Sequence, residues 1–269
     1  MTELLKIATW NVNSIRTRIG QVTDWLQRNN VDIILLQELK CTKDQFPFEV
    51  FEDLGYNSYT NCQKTYNGVA VISKFRADGV IYDFAQNPCP EEARYIEIKF
   101  SSPIGYLSVT SVYVPNGTSL DSENFIKKIR FLNGLKIHLA KNNLRDYYII
   151  GGDFNVAPRN EDVFSPEEFE NKLLFTESEK SIIRSIKYSG LVDPAEYLTQ
   201  ETRFTWWDYR AGALQKDQGA RIDYFLVSPG CCANLHEICT DKSERKKEKA
   251  SDHAPVLLTL SSINYEKTL

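Results

Sequence analysis

The stretch DYYIIGGDFNV, residues 146–156, decides how this chain is read. Tyr147, Tyr148, Ile149 and Ile150 form a short apolar run rich in aromatic and β-branched side chains, the pattern of a buried strand. That strand then presents a carboxylate, Asp153, and an amide, Asn155, just after two glycines. Gly151 and Gly152 predict a tight backbone turn and close approach of a substrate to Asp153. No helical pattern follows, so the glycines do not open a phosphate-cradling loop.

Working outward, the same peculiarity recurs. Strand-like runs cover Leu5–Trp10, Val31–Leu36, Gly68–Ser73, Tyr95–Phe100, Leu107–Val114, Ile222–Val227 and Val256–Leu260. The first ends at Asn11 and Asn13, the second at Gln37 and Glu38, and the last is preceded by Asp252 and His253. Asp223 adds a carboxylate inside a run that reads as buried. Taken singly, each is ordinary: Asn and Asp form turns and caps, and a lone His is usually a satisfied polar group. Together they are not, because a buried carboxylate is costly unless paired or bound to a cation. Five repetitions predict that these side chains converge.

Between the strands lie helical stripes: Ile15, Ile19, Val22 and Leu26; Phe125, Ile129, Leu132 and Leu135; and Ile182, Ile183 and Ile186. Pro47 suits the opening of a short helix. The irregular interleaving predicts a mixed-sheet α/β sandwich rather than a regular barrel, in one domain spanning 1–269. The densest charged loop, 241–252, reads as mobile.

Bulk properties narrow the function. The chain has 269 residues and a net charge of −4, mildly unfavourable for a protein that coats DNA. It has no apolar stretch of about 18 residues, so no membrane span is expected. Met1-Thr2-Glu3 lacks a basic leader, which predicts a cytoplasmic location with its six cysteines reduced. His138, His236 and His253 pair with no cysteine motif, which disfavours zinc. Carboxylates and amides are hard oxygen donors, and they suit Mg²⁺, with Mn²⁺ a plausible substitute. A histidine beside Asp223 or Asp252 suits proton donation to a phosphate oxygen. These features predict metal-assisted phosphoester hydrolysis.

TWNVNSIR (9–16), LLQELK (35–40), YNGVAVISK (66–74), SVYVPNG (111–117), IIGGDFNVAP (149–158), GLVD (190–193), RFTWWDYR (203–210), GARIDYFLVS (219–228) and SDHAPV (251–256) occur in this order. The chain thereby resembles the exonuclease III family of apurinic/apyrimidinic endonucleases, within the endonuclease/exonuclease/phosphatase superfamily. The likeness runs from about Lys6 to Leu260. RFTWWDYR with RIDYFL is what points to the DNA-repair branch.

The resemblance implies a four-layer, DNase I-like α/β sandwich of two mixed β-sheets flanked by helices. It implies hydrolysis of the phosphodiester 5′ to abasic sites in duplex DNA, with 3′→5′ exonuclease and 3′-phosphatase activity, by a monomer. It assigns Glu38, Asn13, Asp252 and Asn11 to the metal and to holding the phosphate. Asp153 is then the residue that activates water, Asn155 its support, and His253 the phosphate partner oriented by Asp223. Tyr113 would stabilise phosphate or leaving group. Asn116, Trp206, Ile222, Arg94, Arg221 and Tyr66 become substrate contacts. Ala220 stands where vertebrate members carry tryptophan, which predicts an open pocket wall. Arg16, Lys40, Lys64, Arg94, Lys127, Lys128, Arg203, Arg210 and Arg221 are the expected basic track. The alternative within the superfamily is a phosphoesterase acting on RNA ends or small phosphate esters.

Overall fold

The computed structural model describes residues 3–142 and 147–262, so Asp146 at the head of the opening stretch lies outside them. In chain order the main elements are β1 (Leu4–Asn11), α1 (Ile15–Asn29), β2 (Ile33–Gln37), α2 (Phe48–Glu52), β3 (Asn57–Asn61), β4 (Val69–Ser73) and β5 (Gly79–Ile81). They continue with β6 (Tyr95–Ser102), β7 (Gly105–Tyr113), α3 (Glu123–Asn142), β8 (Tyr147–Asp153), α4 (Pro166–Phe169) and α5 (Glu177–Tyr188). The last are β9 (Asp223–Val227), α6 (Pro229–Cys232), β10 (Leu235–Thr240) and β11 (Val256–Ser261).

Two mixed sheets result, ordered β10-β11-β1-β2-β4-β3 and β5-β6-β7-β8-β9. Period-2 alternation assigns their faces. Leu5, Ile7, Ile33, Leu35, Val69 and Val71 of the first sheet share one core with Ile96, Ile98, Leu107, Val109, Ile149 and Phe225 of the second. The alternate residues Ala8, Trp10, Ile34, Leu36 and Ile72 pack outward on Ile15, Val22, Trp25 and Leu26 of α1. On the other side Tyr95, Val112, Tyr148, Ile150 and Leu226 meet Leu132 and Leu135 of α3 and Ile182, Ile183 and Ile186 of α5. This is the expected four-layer sandwich, and all three apolar stripes are helix faces turned to a sheet.

Each sheet contains one parallel pair joined through a helix: β1 and β2 through α1, and β7 and β8 through α3. Parallel neighbours need such a crossover, and they point their carboxyl ends the same way. Asn11 pairs in register with Gln37, and Tyr113 with Asp153. The two pairs meet across the interior, where the Asn11 side chain donates to Asp153 at 2.9 Å. Two crossover units thus aim four strand ends at one place.

Three strands escape the sequence pattern: β3, β5 and β10. All are edge strands, and β3 (NSYTN) is half-buried throughout, so no strong alternation marks it. The glycines also differ from expectation. Both lie inside β8, paired with β7 and β9, and the turn begins only after Asp153. A Cβ on Gly151 would stand 2.6 Å from the Phe225 ring and 2.9 Å from Leu35 of the facing sheet. On Gly152 it would stand 1.9 Å from the Val112 carbonyl oxygen. Strand and sheet approach, not substrate access, requires them.

The charged loop 241–252 is likewise an anchor rather than a mobile segment. Glu244 and Arg245 are buried: Glu244 pairs with Arg28 and Lys247, and Arg245 donates to the carbonyl of Trp207 at 3.1 Å. Ser251 closes the loop by donating to the Asn11 carbonyl at 2.7 Å.

Candidate active site

Asp153, at the end of β8, is held from three directions. The Asn11 amide donates to its Oδ2 at 2.9 Å, the Asn155 backbone N–H to Oδ1 at 2.9 Å, and the Asn155 side chain to Oδ2 at 3.3 Å. Asn155 sits at φ 51°, a left-handed conformation that asparagine tolerates and that turns the chain sharply after the strand. Asn13, Glu38 and Lys40 share that conformation, with φ of 43°, 56° and 51°. Sparsely populated backbone of this kind concentrates at functional sites.

Glu38 follows β2. Its Oε1 accepts from Asn11 at 2.8 Å and from the Tyr113 hydroxyl at 2.9 Å, while Lys40 pairs with Oε2 at 2.7 Å. Burial raises the carboxyl's pKa, but the Lys40 ammonium and the Asn11 amide outweigh it and hold Glu38 below its ordinary value. Asp252 accepts from Asn13 and from the Trp206 indole, each at 3.1 Å. Burial opposes its charge, yet His253 and these two donors keep it lowered.

His253 donates through Nδ1 to Asp223 at 2.8 Å and turns Nε2 toward Asp153, 3.9 Å away. The Thr205 hydroxyl donates to the same Asp223 oxygen at 2.6 Å. Burial works against the imidazolium, but Asp223 and then Asp153 raise its pKa to about 10. Burial, with Asp223 as a second cause, pushes Asp153 up to about 7, against the pull of His253 and Asn11. Burial also holds the Tyr113 phenol well above its ordinary value, so it stays a donor. Burial and Asp223 thus bring the proton affinity of Asp153 into the range useful for proton transfer near neutrality, while His253 stays an imidazolium there.

The donor set fits a hard divalent cation. Ligand atoms of Glu38, Asp153 and His253 lie within 4.8 Å of one another, with Asp252 and Asn13 bonded alongside. Asn11, expected among the ligands, is placed instead as a bridge: its amide donates to both Glu38 and Asp153, and its oxygen accepts from Asn13 N.

These side chains line one cleft of about 600 Å³. Glu38, Tyr113, Asn116, Asn155, Asp252 and His253 form its polar side; Trp206, Ile222, Phe169, Leu173 and Leu174 form the apolar side. Ala220 lies behind that wall rather than on it. It is fully buried, bridged to Val163 and Trp206, in a cluster that Leu174 and Phe175 complete. Arg94 lies beneath the Tyr113 ring, 4.8 Å from its centroid, and is paired with Glu92. Tyr66 is 69% exposed and lies with Arg94 and Asn116 on an adjoining groove.

Arg221 does not join the site. It is buried and held by Asp162 at 2.8 Å and Asp193 at 2.6 Å. Lys128 leaves the expected basic track for the same reason, being buried against Glu179. Arg203 is partly spent on Asp162, whereas Arg16, Lys64 and Arg210 remain exposed. Thr205 went unnoticed in the sequence, although its place inside RFTWWDYR was a signal; Glu179 gave none beyond helical position, and Lys128 was read only as part of the basic track.

The Endonuclease/Exonuclease/phosphatase family description matches residues 8–253. The chain belongs to that family. Exodeoxyribonuclease III of Haemophilus influenzae is 30% identical, over 94% of this chain and 98% of its own. The 3′ phosphatase NExo from Neisseria, solved with a product DNA hairpin, superposes with a TM-score of 0.88 at 34% identity, covering 94% of this chain and 98% of its own. An AP endonuclease from Archaeoglobus fulgidus superposes with a TM-score of 0.89 at 34% identity, covering 95% and 99%. As a family member the chain is a hydrolytic nuclease, and its acidic cluster lies where the two crossover units of the sandwich meet.

Proposed function

We propose that this nuclease is a Mg²⁺-dependent DNA-repair enzyme that hydrolyses the phosphodiester 5′ to abasic sites in duplex DNA. On the same reading it also trims 3′ ends and removes 3′ phosphates. One observation carries the proposal: a proton-accepting carboxylate, Asp153, faces a charged imidazole, His253, across 3.9 Å, in a cleft whose far side is apolar.

Asp153 orients a water molecule and takes its proton as the water oxygen bonds to phosphorus. The bond from phosphorus to the 3′ oxygen breaks and that oxygen takes a proton from solvent, leaving a 3′-hydroxyl and a 5′-phosphate. His253 donates through Nε2 to a phosphate oxygen, with Asp223 and Thr205 fixing the ring. Tyr113 and Asn116 offer further donors from the same side. Mg²⁺ held by Glu38, with Asp153 or Asp252, would neutralise phosphate charge and hold the oxygens in place. Trp206 and Ile222 would receive a base-free sugar, which leaves the duplex cheaply because it forfeits no stacking or pairing.

The reading carries with it one domain over 1–269, a monomer and an intracellular location. A 5′-labelled duplex with one abasic analogue, beside its intact counterpart, tests it with Mg²⁺ and with EDTA. Incision 5′ to the analogue, abolished by EDTA and restored by Mg²⁺, is expected. Hydrolysis of RNA ends or inositol phosphates with the duplex left whole would replace this substrate by the superfamily alternative. Binding without cleavage under any metal would leave only a DNA-binding module.

A further inference from the structure

Lys128 lies on α3 with its side chain fully buried, and no step of the hydrolysis uses it. An ammonium has three protons to donate. Three acceptors surround this one: the Glu179 carboxylate, the Asn155 carbonyl at 2.6 Å and the Asn116 carbonyl at 3.2 Å. Glu179, fully buried in the first turn of α5, accepts in addition from Leu174 N at 3.2 Å, Thr176 N at 2.9 Å and the Thr176 hydroxyl at 2.7 Å. Burial lowers the lysine's pKa, and Glu179 opposes that shift.

A buried ion pair is a poor source of net stability, because desolvating both charges offsets their attraction. It does fix geometry, and here every bond ends on a segment that builds the cleft. Asn116 and Asn155 line its polar side, and their side chains are bonded to each other at 3.2 Å. Asn155 in turn holds Asp153 through its backbone N–H. Leu174 forms part of the apolar wall, and its carbonyl accepts from Ala157 N at 2.7 Å, next to the Asp153 turn. Three segments distant in sequence therefore converge on one charge pair.

We propose that the Lys128–Glu179 pair is a positioning element of the active site. It holds the Asn116 loop, the Asn155 turn and the Leu173–Leu174 wall in one register, so that the aim of Asp153 and the shape of the sugar pocket are set together. The inference rests on the hydrolytic reading of the cleft. Lys128→Met alone strands a buried carboxylate, so it is expected to lower the melting temperature. Lys128→Met with Glu179→Leu removes both charges and is expected to recover part of that loss, since the buried carbonyls and amides that the pair satisfied stay unpartnered.

A purely structural pair would recover activity along with stability. A positioning pair would not, because the Asn116 and Asn155 carbonyls still lack their donor. The double variant is expected to lose roughly tenfold or more in kcat on the abasic duplex while remaining folded, since small misplacements at a reacting centre are costly. Its Asn116 and Asn155 side-chain amide resonances, read in ¹⁵N–¹H spectra, are expected to shift. Wild-type kcat in the folded double variant, or unmoved amides, overturns the proposal. If the double variant fails to fold, Lys128→Arg keeps the charge but not the geometry and is judged by the same two readouts. A wild-type protein that cleaves no DNA would defeat the substrate reading, while the amide spectra would still decide the role of the pair.

Discussion

Asp153 and His253 both hold their protons more tightly than usual. The carboxyl is raised to about 7 and the imidazole to about 10. Between those limits Asp153 is anionic and His253 cationic, so a bell-shaped pH–rate profile is expected, its limbs belonging to the pair. A bound cation favours the carboxylate and moves the acidic limb down. The sign for His253 follows from its raised value. Its pairing is fully formed below the ordinary imidazole pKa of about 6.5 and is lost as pH climbs through about 10. Asp223→Asn removes the main cause of that rise, so the alkaline limb should fall by at least about one unit; an unmoved limb would detach Asp223 from the titration. Glu38→Gln and Asp153→Asn separate metal holding from water activation. Activity of the first should be partly restored by excess Mg²⁺ in a titration, and that of the second should not; equal rescue would merge the two roles. That Glu38, Asp153 and His253 converge was legible in the sequence as acids and amides ending apolar runs. That Asn11 bridges two carboxylates, and that Arg221 and Lys128 are buried, was not, since no sequence pattern distinguishes a surface cation from an interior one.

At the scale of the element, β8 illustrates how a motif is misread locally. GGD suggests a turn, yet the strand continues through both glycines because β7 and β9 pair with it on either side. Gly152→Ala would drive a methyl group onto the Val112 carbonyl, and Gly151→Ala would press one against Phe225. Either should cost more than about 2 kcal/mol, and Gly152→Ala the more of the two, because backbone yields less readily than a side chain. Chemical denaturation of both variants measures this; an undiminished midpoint for Gly152→Ala would show that β7 can move aside. The apolar stripes predicted all three long helices, because each helix buries a single face. The edge strands β3, β5 and β10 were invisible, since one side of each is wet and its pairing is decided by a neighbour.

For the whole molecule, a net charge of −4 has to be reconciled with a polyanionic substrate. Acids gathered in the cleft account for part of it, and those at Asp162, Asp193 and Glu179 are internally paired. Exposed cations such as Arg16, Lys64 and Arg210 remain to meet phosphates. Duplex affinity should therefore fall about tenfold or more between about 50 and 200 mM salt, as counterion release demands. Fluorescence anisotropy across that range checks it, and a flat response would count against duplex DNA. Saturating Mg²⁺ should also raise the melting temperature, since a ligand at about 100 times its Kd adds about 2.7 kcal/mol. Glu38→Gln should shrink the shift at the same Mg²⁺ concentration in differential scanning calorimetry, and a shift retained in full would place the cation elsewhere.

By itself the sequence determined the layered α/β architecture and the hydrolytic class of the enzyme. Alternating and helical apolar periods dictate which faces are buried, and oxygen donors at strand ends are the kind of side chain that suits a hard cation. Only the tertiary structure decided which charges face the cleft and which are buried in pairs. Burial and partner choice depend on contacts between segments more than a hundred residues apart, such as Asn11 with Asp153 and Ser251 with Asn11. The first of these contacts exists only once two crossover units have closed against each other, and the second only once the loop before β11 has folded back on β1; a side chain's proton affinity and reach belong to its surroundings rather than to its place in the chain.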